Sequence, residues 1–310
     1  MVAVLMSTYN GGTYLKEQID SILAQTYSDF VLYIRDDGST DNTQKVIEEY
    51  SDSRIRFEQG ENLGPAGSFF ALLNRALDAE YIFFSDQDDV WYSDKLEKML
   101  DEIKKYENFP TMVFSDFAMI DSSGSITAQS YADYASLQVT SGKISVNKII
   151  AQPYVFGCAS VINRALADMV MTPPVGIEMH DCWISLVAAS AGKLIYMPCQ
   201  TISHRFHSNN ATGKSGQDTL GARIKRITRD IDKQTQNTKL RLNQVKLLIK
   251  ELDGKLTQEN KEMLEDVLSA MGKGKIATVR ALKRNGIARQ KTLNTLFFYF
   301  TVFAIKGDIL

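Results

Sequence analysis

The sequence of 310 residues contains only three cysteines and three histidines, and it has no long apolar run. Cys158, Cys182 and Cys199 are odd in number and far apart, with no Cys-x-x-Cys pair. This pattern argues against a disulfide framework or a zinc site and indicates a reducing compartment. The longest apolar run, residues 293–305, contains polar residues and is shorter than the roughly 17–25 residues that span a bilayer.

No signal peptide is predicted, because strand-like apolar residues begin at Val2 with no basic segment before them. We therefore expect a cytoplasmic protein, either soluble or bound at the inner face of the cell membrane. The chain is 44% apolar and 10% aromatic, which is enough to bury a sizeable core.

The net charge of −2 conceals an uneven distribution. Residues 221–291 contain 18 Lys and Arg against 8 Asp and Glu, a surplus of +10, so the rest of the chain carries −12. Such a division indicates two surfaces with different partners.

The first half of the chain alternates short apolar runs with helical patterns. Strands are predicted near residues 2–7, 30–35, 54–58 and 81–85, and helices near 13–25, 41–50, 65–77 and 93–106. This order predicts an α/β fold, a Rossmann-like and mainly parallel sheet with helices on both faces. Ligands of such sheets bind beyond the carboxyl ends of the strands. Further strands are expected near 111–117, 156–163 and 193–197, with a helix over 180–190.

Beyond Gly216 the periodicity becomes purely helical. Apolar residues recur at helical spacing at Leu220, Ile224, Ile227 and Ile231, and again at Leu242, Val245, Ile249 and Leu252. A polar stretch at 234–238 interrupts this stripe. We expect a catalytic α/β domain over residues 1–215 and a basic amphipathic helical region over residues 216–310.

Three predicted strands end in compact polar motifs. These are Ser-Thr-Tyr-Asn-Gly at 7–11, Asp-Asp-Gly-Ser-Thr-Asp at 36–41 and Ser-Asp-Gln-Asp-Asp at 85–89. The last motif crowds Asp86, Asp88 and Asp89, whose carboxylates repel one another unless a cation offsets them. Carboxylate oxygens suit Mg²⁺ or Mn²⁺ together with a substrate diphosphate. A solvated acidic turn is the alternative interpretation.

The first two motifs can also bind a nucleotide base. Tyr9 can stack on a flat ring while backbone groups at Thr8 read its edge. A carboxylate of the 36–37 pair can accept a hydrogen bond from the imide N–H of uracil or thymine. Ordinary turn and helix-capping chemistry explains the same residues, so both interpretations stay open.

Two motifs follow in the second half of the chain. Asp181 lies at the start of the helix predicted over 180–190, where it either complements the helix dipole or acts as a general base on an attacking hydroxyl. Residues 204–213, beginning with His204, form a predicted loop after the sheet whose His, Arg and Asn side chains can contact phosphates or a metal.

Five motifs in this order resemble glycosyltransferase family 2 over roughly residues 1–215. They are Ser7–Gly11, Arg35–Asp41, Glu61–Gly64, Ser85–Trp91 and His180-Asp181. The resemblance implies a GT-A fold, a nucleotide-sugar donor, a divalent cation (Mn²⁺ or Mg²⁺) and inversion at the anomeric carbon. One departure is that many members carry Ala-Arg-Asn after the Asn-Leu-Gly of residues 62–64, whereas this chain has Gly-Ser-Phe-Phe at 67–70.

The resemblance also implies roles for individual residues. Contacts to the nucleotide sugar fall to Thr8, Tyr9, Asn10, Asp37, Asp86, Gln87 and His207. Asp88 and His207 are the implied metal ligands, and Asp181 is the implied catalytic base.

Within the family, residues 85–91 and 207–213 are similar to the corresponding motifs of rhamnosyltransferases of bacterial surface polysaccharides. That similarity implies dTDP-L-rhamnose as donor and a lipid-linked saccharide as acceptor. A UDP-hexose or UDP-N-acetylhexosamine donor, a nucleotidyltransferase and a non-catalytic assembly protein stay open as alternatives. A nucleotidyltransferase usually has a Gly-rich loop bearing Lys or Arg near its start, which residues 7–12 lack.

Basic residues precede the aromatic run at the C-terminus. They are Lys273, Lys275, Arg280, Lys283, Arg284, Arg289 and Lys291. Either these helices pack on the catalytic domain or on another subunit of a homo-oligomer, or they contact an anionic membrane surface. Nucleic acid is disfavoured as a partner because no base-reading module accompanies the basic patch.

Overall fold

The computed structural model describes residues 1–207 and 231–309, in which ten strands form one mixed sheet. The strands are β1 (Val2–Thr8), β2 (Phe30–Asp36), β3 (Ile55–Gln59), β4 (Tyr81–Ser85), β5 (Val90–Trp91), β6 (Thr111–Ile120), β7 (Ile126–Ala128), β8 (Gly142–Lys143), β9 (Ser160–Asn163) and β10 (Lys193–Arg205). Their order is β3-β2-β1-β4-β9-β6-β10-β5, with β7 beside β6 and β8 beside β10.

Twelve α-helices lie in the described residues. Eight accompany the sheet: α1 (Leu15–Leu23), α2 (Thr43–Glu48), α3 (Gly64–Leu73), α4 (Lys95–Ile103), α5 (Tyr131–Ala135), α6 (Asn147–Ile150), α7 (Arg164–Val170) and α8 (His180–Ala191). Four follow it: α9 (Ile231–Glu251), α10 (Gln258–Gly272), α11 (Lys275–Arg284) and α12 (Thr292–Ala304).

The main strands of the sheet are mostly parallel, as predicted. β1 pairs in parallel with β2 and β4, β2 with β3, and β6 with β10. β9 is reversed between β4 and β6, and β5 is reversed against β10. The carboxyl ends of β1, β2 and β4 therefore meet at one edge, where their polar motifs are brought together.

Alternate residues of each central strand face opposite cores. In β1, Ala3 and Leu5 belong to one apolar cluster, whereas Val2, Val4 and Met6 belong to the other. A strand that is buried on both faces reads as a continuous apolar run, which is why β1 lacks any polar alternation.

Each core has its own set of helices. The side chains of α1, α2 and α4 pack in the cluster that contains Val4. Those of α3, α7 and α8 pack in the cluster that contains Leu5. The prediction of helices on both faces of the sheet is confirmed.

The four C-terminal helices extend the second of these cores. Leu242, Leu264, Leu282 and Phe298, one from each helix, are buried in the same apolar cluster as Leu5. The polar stretch at 234–238, which was predicted to interrupt the apolar stripe, lies within the continuous helix α9. The hydroxyls of Thr238 and Thr301 lie 2.7 Å apart in a buried hydrogen bond that joins α9 to α12.

β10 is longer than the predicted strand at 193–197. It passes through two register irregularities between Met197 and Ser203 and then continues beside β6 as far as Arg205. The expectation that the loop after the sheet begins at His204 is therefore wrong, since His204 is buried near the end of β10, which ends at Arg205. Because the register is irregular here, the sequence pattern does not predict the second half of β10.

Several predicted features lie outside the described residues. These are the motif at 208–213, the apolar stripe at Leu220, Ile224 and Ile227, and the boundary at 215/216. The division into two domains stays a prediction. Among the described helices, none combines the length and the apolar character that crossing a bilayer would require.

Packing of α12 gives a testable contrast between two phenylalanines on the same helix. Phe298 is 0% exposed and Phe300 is 53% exposed. We expect Phe298→Ala to lower the free energy of unfolding by about 3–5 kcal/mol, because it leaves a cavity in the core. Phe300→Ala should change it by less than about 0.5 kcal/mol. Urea unfolding followed by circular dichroism measures both, and equal losses for the two variants would contradict the assigned packing.

Candidate active site

A cleft of about 670 Å³ lies at the carboxyl ends of β1, β2 and β4. Its polar lining comes from the ends of these strands, from the start of α8 and from α9. The ionisable residues in the lining are Tyr9, Asp37, Asp86, Asp88, Tyr154, Glu178, His180, Asp181, Cys182, His204 and Arg241. The volume is in the range of pockets that hold small organic ligands.

Tyr9 stands at the cleft with its ring half exposed (48%) and its backbone fixed. The side chain of Gln87 accepts from the N–H of Tyr9 at 2.8 Å and donates to its carbonyl at 3.1 Å. This pair of hydrogen bonds joins the end of β1 to the turn after β4. A Cβ added at Gly11 would lie 2.0 Å from Oε1 of Gln87, so a side chain at this position would displace the amide that makes these hydrogen bonds.

Asp37 is held in place by a buried cation. The guanidinium of Arg35 pairs with its carboxylate, and the N–H of Leu63 donates to it at 2.9 Å. Arg35 also donates to Oγ of Ser68 at 3.1 Å, and Ser7 donates to the same oxygen at 2.7 Å. Ser68 belongs to the segment that departs from the family pattern, so a hydroxyl network occupies that position in this chain.

Each carboxylate after β4 has a different environment. Asp88 Oδ2 lies 2.7 Å from Nε2 of His207. Asp89 is fully buried, where its Oδ1 lies 2.7 Å from Nδ1 of His204 and accepts from the N–H of Arg205 at 3.1 Å. The end of β10 therefore supplies partners to two of the three carboxylates.

The pKa values of this cluster follow from burial and mutual repulsion. Burial, with the charges of Asp89 and Asp88, raises the pKa of Asp86 to about 7. Burial alone would raise the pKa of Asp89, but His204 and its hydrogen bonds outweigh it and lower that pKa. Burial opposes the charge on His204, yet Asp89 raises its pKa to about 9. Asp89 and His204 therefore form a buried ion pair at neutral pH.

Lys95 is a buried cation behind the cluster. Its ammonium donates to the carbonyl of Cys158 and lies 3.6 Å from the centre of the Trp91 ring. Burial lowers its pKa to about 7, although Cys158, Asp89 and Asp86 oppose that shift. No sequence motif marks Lys95 as a site residue, since only the fold brings α4 beside residues 157–159.

Asp181 lies in the first turn of α8 and lines the cleft. Its Oδ2 accepts from the N–H of Gly157 at 3.1 Å, and its Oδ1 accepts from the N–H of Cys182 at 2.7 Å. The neighbouring His180 is buried, stacks on Phe69 at 4.0 Å and has its pKa lowered by burial. His180 is thus neutral and packs on Phe69 at the start of α8. Asp181 lines the cleft, with both of its oxygens held by backbone N–H groups.

Most of the predicted donor-site residues meet in the cleft. Tyr9, Asp37, Asp86, Gln87, Asp88 and Asp181 line it, and His207 reaches it through Asp88. Thr8 and Asn10 are not among the described lining residues. Thr8 donates to Asp36 at 3.1 Å, and Asn10 accepts from the N–H of Thr40 at 2.8 Å, so their side chains brace the two strand ends.

Arg241 of α9 also lines the cleft, 3.6 Å from the carboxylate of Glu178. Sequence patterns gave no signal for this residue, because it lies among the charged positions of a helix remote from the motifs. The C-terminal helices therefore contribute to the lining as well as to the core.

A second group of side chains in the described residues could hold a metal ion. Ligand atoms of Asp86, Asp89, Cys158 and His204 all lie within 4.8 Å of one another. The Asp89–His204 ion pair and the nearby Lys95 already balance this buried charge, and burial raises the pKa of Cys158 well above its usual value. Asp88 and His207 form the set at the open cleft, so they fit a metal that must also reach a ligand there.

The family model for glycosyl transferase family 2 matches residues 3–167. The chain belongs to glycosyltransferase family 2. That model covers the strand-end motifs after β1, β2 and β4, which carried the expectation from sequence.

Curated relatives of this chain differ in the donors they are named for. It is 31% identical over 189 residues (60% of this chain, 70% of the relative) to the Escherichia coli UDP-Glc:alpha-D-GlcNAc-diphosphoundecaprenol beta-1,3-glucosyltransferase WfgD. It is 43% identical over 103 residues (31% of this chain, 36% of the relative) to the Shigella flexneri dTDP-rhamnosyl transferase RfbG. It spans only about a third of the length of the rickettsial glycosyltransferases that it matches.

Solved structures of similar shape establish the GT-A fold. Staphylococcus aureus TarS 1–349 in complex with UDP-GlcNAc matches with a TM-score of 0.59 at 15% identity, covering 92% of this chain and 80% of that one. The mannosyltransferase PcManGT from Pyrobaculum calidifontis, in complex with GDP-Man and Mn²⁺, matches with a TM-score of 0.54 at 18% identity, covering 92% and 72%.

The Asp89–His204 pair makes a specific contribution to stability that depends on pH. The pKa of His204 is raised from 6.5 to about 9, so its contribution is full below pH 6.5 and is lost as pH rises through about 9. In EDTA, we expect wild type to lose about 3 kcal/mol relative to Asp89→Asn between these pH values. Urea unfolding at pH 6 and at pH 9.5 measures the difference.

The matched control is Asp101→Asn, which removes an exposed carboxylate from α4. Its unfolding free energy should follow the wild-type pH dependence. Parallel curves for wild type and Asp89→Asn would rule out the ion pair.

Proposed function

We propose that this chain is an inverting, metal-dependent glycosyltransferase with dTDP-L-rhamnose as donor and a lipid-linked saccharide as acceptor in bacterial surface polysaccharide synthesis. The observation that carries the proposal is the meeting, in one cleft, of the carboxylates after β4 with Asp181 at the start of α8. Acid groups for a diphosphate-bound cation and a separate oriented base are the two elements that sugar transfer from a nucleotide requires.

The donor set supports a divalent cation at Asp88 and His207. Their contacting atoms are 2.7 Å apart beside the cleft, and Asp86 adds a carboxylate whose pKa is raised by burial and by its acidic neighbours. Oxygen and imidazole ligands suit Mn²⁺, and Mg²⁺ also accepts carboxylates with substrate phosphates. When bound, the cation would supply positive charge to the departing diphosphate.

Asp181 is the proposed base. The N–H groups of Gly157 and Cys182 hold its two oxygens in the first turn of α8, beside the cleft. It would take the proton from the acceptor hydroxyl as that oxygen attacks the anomeric carbon. Attack opposite the leaving diphosphate gives inversion.

The nucleotide would lie along the ends of β1 and β2. The half-exposed ring of Tyr9 offers a stacking surface for the base, and the carboxylate of Asp37 offers an acceptor for an imide N–H. Thymine and uracil share this imide, so these contacts suit a dTDP-sugar and a UDP-sugar equally. The backbone of Tyr9, fixed by Gln87, keeps the ring in position.

A UDP-sugar donor is the second candidate, and one observation favours it. The relative named for UDP-Glc is matched over 70% of its own length, whereas the one named for dTDP-rhamnose is matched over 36%. The shorter match has the higher identity, 43% against 31%, and it agrees with the motif at 85–91. We therefore place dTDP-L-rhamnose first and a UDP-hexose or UDP-N-acetylhexosamine second.

A panel of nucleotide sugars tests the donor. Purified protein is given dTDP-L-rhamnose, UDP-glucose, UDP-galactose, UDP-N-acetylglucosamine and GDP-mannose with a lipid-linked saccharide acceptor, and nucleotide diphosphate release is measured with Mn²⁺, Mg²⁺ or EDTA. We expect turnover of dTDP-L-rhamnose with either metal and loss of turnover in EDTA. Turnover of a UDP-sugar alone would select the second candidate, and nucleotide binding without any turnover would indicate an assembly protein.

Metal binding has a readout besides activity. Mn²⁺ titration followed by electron paramagnetic resonance, with dTDP present, should give more than about tenfold weaker binding for Asp88→Asn, because a ligand is lost. The control Asp101→Asn should bind as wild type. Unchanged binding in Asp88→Asn would move the metal away from this residue.

The proposed base predicts a loss in the chemical step alone. Asp181→Asn should lower kcat by about 10²–10⁴-fold while the Kd for the donor nucleotide, measured by calorimetry, stays within about twofold. Asp232→Asn is the matched control, since it replaces an exposed aspartate in the first turn of α9. Near-wild-type turnover of Asp181→Asn would remove this residue from the reaction.

A further inference from the structure

α12 has apolar residues on two opposite faces. Its inner face packs Phe298, Thr301 and Val302 into the core. Its outer face exposes four large apolar side chains: Leu293 (55%), Leu296 (60%), Phe300 (53%) and Phe303 (46%). Their spacings of three, four and three residues place them in one stripe along the helix. A contiguous exposed apolar stripe of this kind marks an interaction surface.

The charge along this part of the chain is mainly positive. Residues 267–307 contain eight Lys and Arg and no Asp or Glu, and an exposed Asp308 follows. Arg284 is paired with Asp266 from α10, and Arg289 is largely buried. Four of the others are exposed: Lys273, Arg280, Lys283 and Lys306. A surplus of positive charge therefore accompanies the apolar stripe.

Contacts within the fold place the basic and apolar groups together. The ammonium of Lys275, at the start of α11, donates to the carbonyls of Phe303 and Ile305 at the end of α12. The next residue, Ile276, is 61% exposed, so it adds an apolar side chain near the end of the stripe. Arg280 follows Ile276 by one helical turn and is exposed.

We propose that the outer face of α12, with the basic residues of α11 and its flanks, is a docking surface for an anionic lipid bilayer. A helix of 13 residues is about 20 Å long, and none of the described helices can cross a membrane, so α12 would lie in the plane of the interface. Phe and Leu side chains enter the headgroup region, and basic residues near an anionic surface strengthen the attraction to it.

Charge distinguishes this occupant from a second copy of the chain. A symmetric dimer would bring the same patch of each subunit together. Both patches are basic and lack carboxylates between residues 267 and 307, so the contact would be repulsive. An anionic lipid surface satisfies both the apolar stripe and the positive charge.

Vesicle co-sedimentation of the full chain tests the proposal, with neither donor nor acceptor present. Wild type should bind phosphatidylglycerol-containing vesicles at least tenfold more tightly than pure phosphatidylcholine vesicles, and 0.5 M NaCl should weaken binding. The double variant Leu296→Ser with Phe300→Ser should lose at least tenfold in binding. The control, Leu77→Ser with Ile126→Ser, removes two apolar side chains of similar exposure elsewhere and should bind as wild type.

Three outcomes would overturn the proposal. They are equal binding to both vesicle types, unchanged binding of the α12 variant, and a dimer in light scattering that the α12 variant converts to a monomer. Circular dichroism confirms that each variant is folded. Since vesicle binding is scored without turnover, failure of the proposed transfer reaction would leave this result interpretable, and the reverse also holds.

Discussion

Repulsion among the carboxylates of Asp86, Asp88 and Asp89 is the constraint on which the cleft depends. Three negative charges follow the buried strand β4 within four residues, and water does not solvate them fully. The fold answers by bringing β10 alongside, so that His204 lies against Asp89 and His207 against Asp88. Burial and the charges of Asp89 and Asp88 raise the pKa of Asp86. Asp86 lines the cleft, where a bound cation would favour its ionised form.

The periodic part of this fold could be predicted from the sequence, and so could the strand-end motifs. β1, β2 and β4 have apolar runs that end in polar residues, and parallel pairing brings those ends to one edge. Thr8 and Asn10 lie at these strand ends, but their side chains form hydrogen bonds with Asp36 and with the backbone of Thr40. The second half of β10 was missed because its register is irregular after Met197. Lys95 and Arg241 were missed because only tertiary contacts bring α4 and α9 to the site.

In the C-terminal helices, the sequence pattern does not reveal the partners of buried polar side chains. A polar stretch interrupts the apolar stripe of α9, yet Thr238 within it is buried because its hydroxyl has a hydrogen-bond partner in Thr301 of α12. Sequence periodicity records which side chains are polar and not whether a partner exists elsewhere. The same helices share a core with the sheet and place Arg241 in the lining of the cleft.

The two-sided burial of β1 has a consequence for changes in chain length. A deletion or insertion of one residue within Val2–Thr8 would exchange the side chains of the two cores. It would also shift Tyr9 by one position relative to Gln87, to which its backbone is bonded twice. The number of residues in β1 thus determines both which side chains enter each core and where Tyr9 lies relative to Gln87. Changes of length there are therefore more disruptive than apolar substitutions that conserve volume.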